Sequence, residues 1–156
     1  MKTDESPFSA AVRLLSMRAM SARELREGLL RRGFSSEDAD DAVTRVTEAG
    51  YIDEAAYAEA LVRRYTERGY GPRALPGRLR QHGLPADVIA AALQPIEPDG
   101  DALDALARKF LRGENTEASR QRAAAALARR GFPIHEINAA LRRVCGVTDG
   151  VLLDDE

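Results

Sequence analysis

Apolar residues recur at helical spacing through nearly the whole chain. In the first such stretch, apolar or small side chains fall on one face of an amphipathic helix, at Phe8, Ala11, Val12, Leu15 and Ala19. Good helix formers (alanine, leucine, arginine and glutamate) dominate up to Cys145. Alternating β-branched runs, which would indicate strands, are absent from the sequence. The pattern therefore predicts an all-α fold.

The helical pattern is repeated three times. Three segments end on a glycine followed by an apolar residue, and these glycines, Gly33, Gly83 and Gly131, are 50 and 48 residues apart. In each of the three segments, an apolar or small residue also occurs six, nine and ten positions after the glycine. Such a period indicates one supersecondary unit copied in tandem, in which each unit contacts mainly its neighbours. We therefore expect an elongated, curved array of three tandem three-helix repeats.

The predicted repeats span residues 6–50, 51–96 and 97–146, and an acidic tail follows at 147–156. The tail has four acids and no base, and it is predicted to be disordered. A linker of two prolines and a glycine lies within residues 95–100. In the first repeat, helices are expected from near Phe8, from Ser21 and over 36–48. The other helices are expected near 53–68, 72–82, 85–94, 100–112, 116–130 and 133–145.

Local signals mark where these helices begin and end. Ser21 and Glu24 have the spacing of a capping box, in which each side chain accepts from the other's free amide. Each repeat glycine stands where a left-handed residue would stop a helix. Pro76 interrupts the middle helix of the second repeat, because proline donates no amide hydrogen and clashes with the preceding turn. That helix is expected either to begin late, at Pro76, or to have a distorted first turn.

Composition limits the classes of function. The one cysteine, Cys145, excludes an intramolecular disulfide, and no run approaches the ~20 apolar residues of a membrane span. The start of the chain has no signal-peptide pattern. We expect a monomeric, cytoplasmic protein. His82 and His135 are too isolated for a metal cluster, so no metal, cofactor or catalytic site is expected, and His82 is interpreted as a surface histidine at a helix end.

Basic residues are concentrated in two stretches, although the formal net charge is −2. Residues 62–82 contain six arginines and one acid, and residues 105–130 contain seven bases and two acids. Helical spacing places Arg63 within reach of Glu59 and Glu67, and Arg108 within reach of Asp104. The candidate contact residues are therefore Arg64, Arg68, Arg73, Arg78 and Arg80 in a central surface, and Arg108, Lys109, Arg112, Arg122, Arg129 and Arg130 in a C-terminal one.

Each of these side chains would contact phosphate or an acidic protein surface, for which arginine is well suited. A solvated helix face remains the simplest alternative. Tyr70, between two glycines, is the aromatic residue most expected to be exposed, whereas Tyr57 and Tyr65 are expected in the core. With so few exposed rings, base stacking is not expected.

One segment carries a resemblance to a known family. Residues Gly50-Tyr51-Ile52-Asp53-Glu54, followed by Tyr57-Ala58 and later by Gly69-Tyr70-Gly71-Pro72, resemble the RecX family of bacterial recombination regulators. The resemblance covers about residues 8–145. It implies tandem three-helix repeats without enzymatic activity.

The resemblance also implies a partner, the filament of the RecA recombinase. A member of the family would lie in the filament groove, block filament extension and lower ATP hydrolysis, strand exchange and stimulated repressor cleavage, so that it acts in DNA repair, homologous recombination and the SOS response. It also implies binding to single- or double-stranded DNA. Two alternatives stay open: a direct DNA-binding protein, and a generic helical-repeat scaffold for another partner.

Overall fold

The fold is all-helical, as the sequence predicts. The structure, a computed structural model, describes residues 4–94 and 99–147, which contain nine α-helices and no strand. The predicted linker residues 95–98 and the predicted tail from 148 onward lie outside the described residues. The helices are α1 Pro7–Met17, α2 Ala22–Arg31, α3 Ser36–Glu48, α4 Glu54–Glu67, α5 Leu75–Gln81, α6 Ala86–Ala92, α7 Gly100–Leu111, α8 Glu117–Arg129 and α9 Ile134–Cys145.

The start and stop signals act as expected. Ser21 and Glu24 form the predicted capping box at α2. The repeat glycines adopt positive φ angles of 92° at Gly33, 79° at Gly83 and 95° at Gly131. A second capping box, between Thr116 and Ser119 at α8, was not predicted because serine replaces the usual glutamate.

The middle helix of the second repeat begins late. Residues 72–74 form a turn and α5 starts at Leu75, so Pro76 stands in the first helical turn, where its missing amide hydrogen costs nothing. The late start, three residues after the predicted position 72, leaves Arg73 on the turn rather than on a helix. The other predicted helix positions are confirmed to within one or two residues.

Two compact units contain the helices. Of the described residues, 4–62 and 77–94 form unit 1, and 63–76 and 99–147 form unit 2. The boundary between the units passes through α4 and α5. The repeat boundaries drawn from the sequence stay a prediction.

Each unit has its own apolar core. In unit 1, helices α1–α3 bury Leu14, Leu25, Leu29 and Val46 together. In unit 2, helices α7–α9 bury a second cluster that includes Leu103, Leu111, Leu127, Ile137 and Leu141. Alanines fill the space between these larger residues in both cores, which lets the helices approach closely. Among the described helices, none has the length and apolar character to cross a membrane.

Candidate functional site

Two chain turns of unit 2 meet backbone to backbone. The Gly71 amide donates to the Arg130 carbonyl oxygen at 2.7 Å, and the Arg73 amide donates to the Gly131 carbonyl oxygen at 2.9 Å. The first turn lies between α4 and α5, and the second lies between α8 and α9. A Cβ atom on Gly71 would stand 2.6 Å from the Gly131 carbonyl, so this approach requires glycine.

This junction brings predicted contact residues together. Arg68 and Arg73 flank Gly71, Arg129 lies just before the second turn, and Arg64 stands one helical turn before Arg68 on α4. All four side chains are exposed. We call Arg64, Arg68, Arg73 and Arg129 the arginine cluster.

The arginine cluster lacks local neutralisation. Within residues 4–94 and 99–147, no ion pair involves any of its four members. Neighbouring guanidinium groups without carboxylate partners create a positive potential that attracts a polyanion or an acidic protein surface. Guanidinium groups suit carboxylates and phosphates alike, so the chemistry of the arginine cluster fits either kind of group.

Arg130 has a different role from its neighbours. It is half-buried, its Nη1 donates to the Arg68 carbonyl oxygen at 3.0 Å, and its guanidinium lies 5.1 Å from the centre of the Tyr70 ring and 5.9 Å from that of Phe110. These contacts fix the turn that carries Arg68. The expectation that Tyr70 is exposed is wrong: the ring is half-buried, edge-on to Tyr65 at 5.8 Å and beside Arg130.

The remaining C-terminal candidates are not alike. Arg108 and Lys109 are exposed in the last turn of α7, and Arg112 caps that helix in the left-handed conformation, with φ 55°. Arg122 forms an ion pair with Glu114 at 3.5 Å. Arg122 is therefore already partly neutralised within the chain.

The three ion pairs expected from helical spacing do not form among the described residues. Asp104 pairs with Arg143 of α9, through hydrogen bonds of 2.9–3.2 Å, and not with Arg108. Among the described residues, no ion pair joins Arg63 to Glu59 or Glu67. Long-range packing places Arg143 across from Asp104, a position that spacing along one helix does not reveal.

The central candidates are divided between the two units. Arg64, Arg68 and Arg73 belong to unit 2, whereas Arg78 and Arg80 stand on the part of α5 that belongs to unit 1. Arg80 is exposed and Arg78 is half-buried. The arginine cluster is thus restricted to unit 2.

Unit 1 contains a polar network that the sequence did not predict. His82 is half-buried: its Nδ1 lies 3.1 Å from the Tyr57 hydroxyl and 3.2 Å from Glu24 Oε2. The buried Ser21 hydroxyl donates to the His82 carbonyl oxygen, and Arg23 donates to the Gln81 carbonyl oxygen at 2.7 Å. The interpretation of His82 as a surface residue is therefore wrong, although it does end a helix.

The network shifts the ionisation of two members. Burial, followed by the nearby Glu24 carboxylate, raises the pKa of Tyr57 to about 12. Burial alone would raise the pKa of Glu24, but hydrogen bonds from Tyr57, the Ser21 amide and His82 outweigh it and lower that pKa. The network therefore holds a charged glutamate and a neutral phenol at neutral pH.

Candidate metal ligands do not cluster in the described part of the chain. No group of three or more histidine, cysteine, aspartate or glutamate residues there could hold a metal ion. Cys145 is half-buried at the end of α9, and its carbonyl oxygen accepts from the Asn115 side chain at 3.2 Å.

Models of the RecX family match three consecutive parts of the chain. The first three-helix domain of RecX matches residues 8–45, the second matches 53–93 and the third matches 98–141. Together these matches cover most of the chain.

Curated relatives and solved structures agree with these matches. The regulatory protein RecX of Stenotrophomonas maltophilia strain R551-3 is 41% identical over 142 residues, covering 89% of this chain and 87% of the relative. That of Xanthomonas axonopodis pv. citri strain 306 is 39% identical over 142 residues, covering 89% and 88%. The crystal structure of RecX from Lactobacillus salivarius, 17% identical, matches with a TM-score of 0.78 over 90% of this chain and 96% of that chain, and supports the fold alone.

Proposed function

The chain belongs to the RecX family, and from this premise we propose that it is a negative modulator of RecA that binds the groove of the RecA filament. In this proposal it inhibits filament extension, ATP hydrolysis and strand exchange, and it acts in the cytoplasm without catalysing a reaction. The observation that carries the proposal is the arginine cluster of unit 2. It supplies the positive surface that a charged polymer requires.

The placement of the cluster supports binding to a polymer rather than to a small molecule. Its members come from α4, the following turn and the end of α8, and they are exposed rather than gathered in a closed pocket. The electrostatic attraction of an exposed positive surface for a charged polymer increases when several arginines face the polymer together. A filament offers the same acidic or phosphate groups at every subunit, so a bound molecule would oppose the addition or rearrangement of the subunits it contacts.

A titration of RecA ATPase activity tests the proposal. Increasing amounts of the protein, from far below to equal to the RecA concentration, are added to RecA on single-stranded DNA, and ATP hydrolysis is followed. We expect inhibition that deepens with dose. Inhibition at amounts well below RecA would favour action at filament ends, whereas inhibition only near equal amounts would favour coating of the groove. No effect at any dose would contradict the proposal and favour a helical-repeat scaffold for another partner.

The alternative function is direct binding to DNA, and an experiment must distinguish it from binding to the RecA filament. The arginine cluster suits phosphate as well as carboxylate, but Tyr70, the ring beside it, is half-buried and packed on Tyr65. Contacts would then be made to phosphates, with little base stacking. Fluorescence anisotropy of labelled DNA, with and without RecA, distinguishes the two partners: equal affinity for bare DNA and for the filament would favour the DNA-binding alternative.

A further inference from the structure

A cleft in unit 2 has no role in the function proposed above. It has a volume of about 450 Å³, within the range of ligand sites, and its walls are mainly apolar. Leu103 and Leu106 of α7 line it together with Ala139 of α9, and Tyr70 and Phe132 supply two aromatic rings. The cleft is therefore suited to an apolar group.

Packing holds the walls of the cleft in place. The Tyr70 ring is edge-on to Tyr65 and has the Arg130 guanidinium 5.1 Å from its centre. On the α7 side, a Cβ atom on Gly69 would lie 3.1 Å from Leu106 Cδ2, so the backbone just before Tyr70 lies directly against that leucine. A preformed cleft loses little conformational entropy when a partner fills it, which favours binding.

Charged side chains that line the cleft are mostly engaged within the chain. Arg143 pairs with Asp104 at 2.9 Å, and Asp99 caps α7 by accepting from the Ala102 amide at 3.1 Å. Glu136, half-buried in the first turn of α9, has no ion pair within the described ranges. Its carboxylate disfavours an acidic group inside the cleft itself.

The arginine cluster shares its two turns with the cleft. Pro72 lines the cleft and the next residue, Arg73, belongs to the cluster, while Phe132 lines the cleft and Arg129 stands three residues earlier. The hydrogen bond from the Arg73 amide to the Gly131 carbonyl oxygen, at 2.9 Å, joins these turns. One partner segment can therefore place an apolar group in the cleft and acidic groups outside it, at the cluster.

We propose that the cleft receives a bulky apolar side chain of a protein segment whose neighbouring acidic residues contact the arginine cluster. An apolar centre with a charged rim is typical of protein–protein interfaces, in which a few anchor residues supply most of the binding energy. Nucleic acid fits this combination less well. Its phosphates suit the arginines, but the polar edges of its bases would lose their hydrogen bonds to water against apolar walls. The identity of the partner, a subunit of the RecA filament, rests on the proposed function.

Two uncharged substitutions that fill the cleft test this inference. Ala139→Met and Ala102→Met narrow it from α9 and from α7. In anisotropy of the labelled protein on preformed RecA filaments, we expect each to weaken binding about tenfold, the loss caused by displacing one anchor side chain. Ala105→Met, at an exposed position of α7 that does not line the cleft, is the matched control and should bind like the unmodified protein. Circular dichroism verifies folding of all three variants.

Further measurements distinguish an apolar anchor from a purely charged contact. The fold-loss caused by Ala139→Met should be the same at low and at high salt, because salt screens exposed charges but not apolar contacts. Neither methionine should change binding to labelled DNA. Glu136→Gln should bind the filament at least as tightly as the unmodified protein, because it removes a carboxylate close to an acidic segment.

Three results would overturn the inference. Unchanged filament binding by both methionine variants would mean that no side chain enters the cleft, and an equal loss of binding to DNA would make nucleic acid the occupant. Weaker filament binding by Glu136→Gln would indicate a basic occupant. If the unmodified protein inhibits RecA ATPase activity, each of these results leaves the proposed function standing. If it neither binds nor inhibits RecA, both proposals fail.

Discussion

Gly71 lies directly against the backbone of Gly131, at a distance that leaves no room for a side chain on either residue. A Cβ atom on Gly71 would meet the Gly131 carbonyl at 2.6 Å, and one on Gly131 would meet the Ala74 amide nitrogen at 2.5 Å. The obstacles are backbone atoms, which cannot move aside as a flexible side chain can. This contact sets the positions of Arg68, Arg73 and Arg129, and so the arginine cluster depends on two glycines.

Replacing Gly71 by alanine should destabilise the protein. The added methyl group must push the two turns apart, at a cost of about 1–3 kcal/mol in the free energy of unfolding, typical of overpacking. Urea unfolding followed by circular dichroism measures this. Gly77→Ala is the control, because a Cβ there would have Arg80 Nη2 as its nearest neighbour, at 3.6 Å, and alanine favours the helix. Equal stability of the two variants would refute the steric argument.

Arg130 should be more important for stability than Arg129. Arg130→Ala removes the hydrogen bond to the Arg68 carbonyl oxygen and the contact with the Tyr70 and Phe110 rings, at an expected cost of about 1–2 kcal/mol. Arg129→Ala, at an exposed neighbouring position, should change the unfolding free energy by less than about 0.5 kcal/mol. Thermal unfolding of both variants measures the two losses of stability. A larger loss for Arg129→Ala would contradict the structural role given to Arg130.

The Tyr57 hydroxyl should make the folded state sensitive to alkaline pH. Its pKa is raised from 10.0 to about 12 in the folded protein, so the unfolded chain loses this proton first as the pH rises. The stabilisation it gives is complete below pH 10 and is lost between pH 10 and about 12. Tyr57→Phe should therefore show a smaller fall in stability over this window than the unmodified protein.

Tyr51→Phe provides the comparison for that experiment, because Tyr51 is 51% exposed. Urea unfolding at several pH values between 9 and 12 gives the free energies. If Tyr57→Phe and Tyr51→Phe have the same pH dependence, the network of Tyr57, Glu24 and His82 does not control this ionisation.

Sequence reasoning located the helices because their signals are local. The capping box of Ser21 and Glu24 and the left-handed glycines each involve residues only a few positions apart, and the structure has them where they were expected. Pro76 allowed two predictions, a helix that begins late and a helix with a distorted first turn, because proline is compatible with the first turn of a helix but not with its interior.

Contacts between distant segments were not predictable in this way. Arg130 reaches the Arg68 carbonyl oxygen, 62 residues away, and Arg143 reaches Asp104, 39 residues away. Spacing along one helix suggested Arg108 as the partner of Asp104, but packing of α9 on α7 brought Arg143 closer. The half-buried position of Tyr70 was missed for the same reason, because Arg130, which packs on its ring, follows the end of α8 and is 60 residues away in the sequence.

The charge-reversal pair Arg64→Glu with Arg68→Glu tests the central claim, that the arginine cluster binds the RecA filament. Filament binding is measured by anisotropy of the labelled protein on preformed RecA filaments, and circular dichroism verifies folding. The control is Arg13→Glu with Arg26→Glu, which changes the net charge equally but at arginines already paired with Glu5 and Asp40 in unit 1. We predict affinity at least tenfold weaker for the first pair and little changed for the control. A folded Arg64→Glu, Arg68→Glu variant that binds as tightly as the unmodified protein would contradict the account.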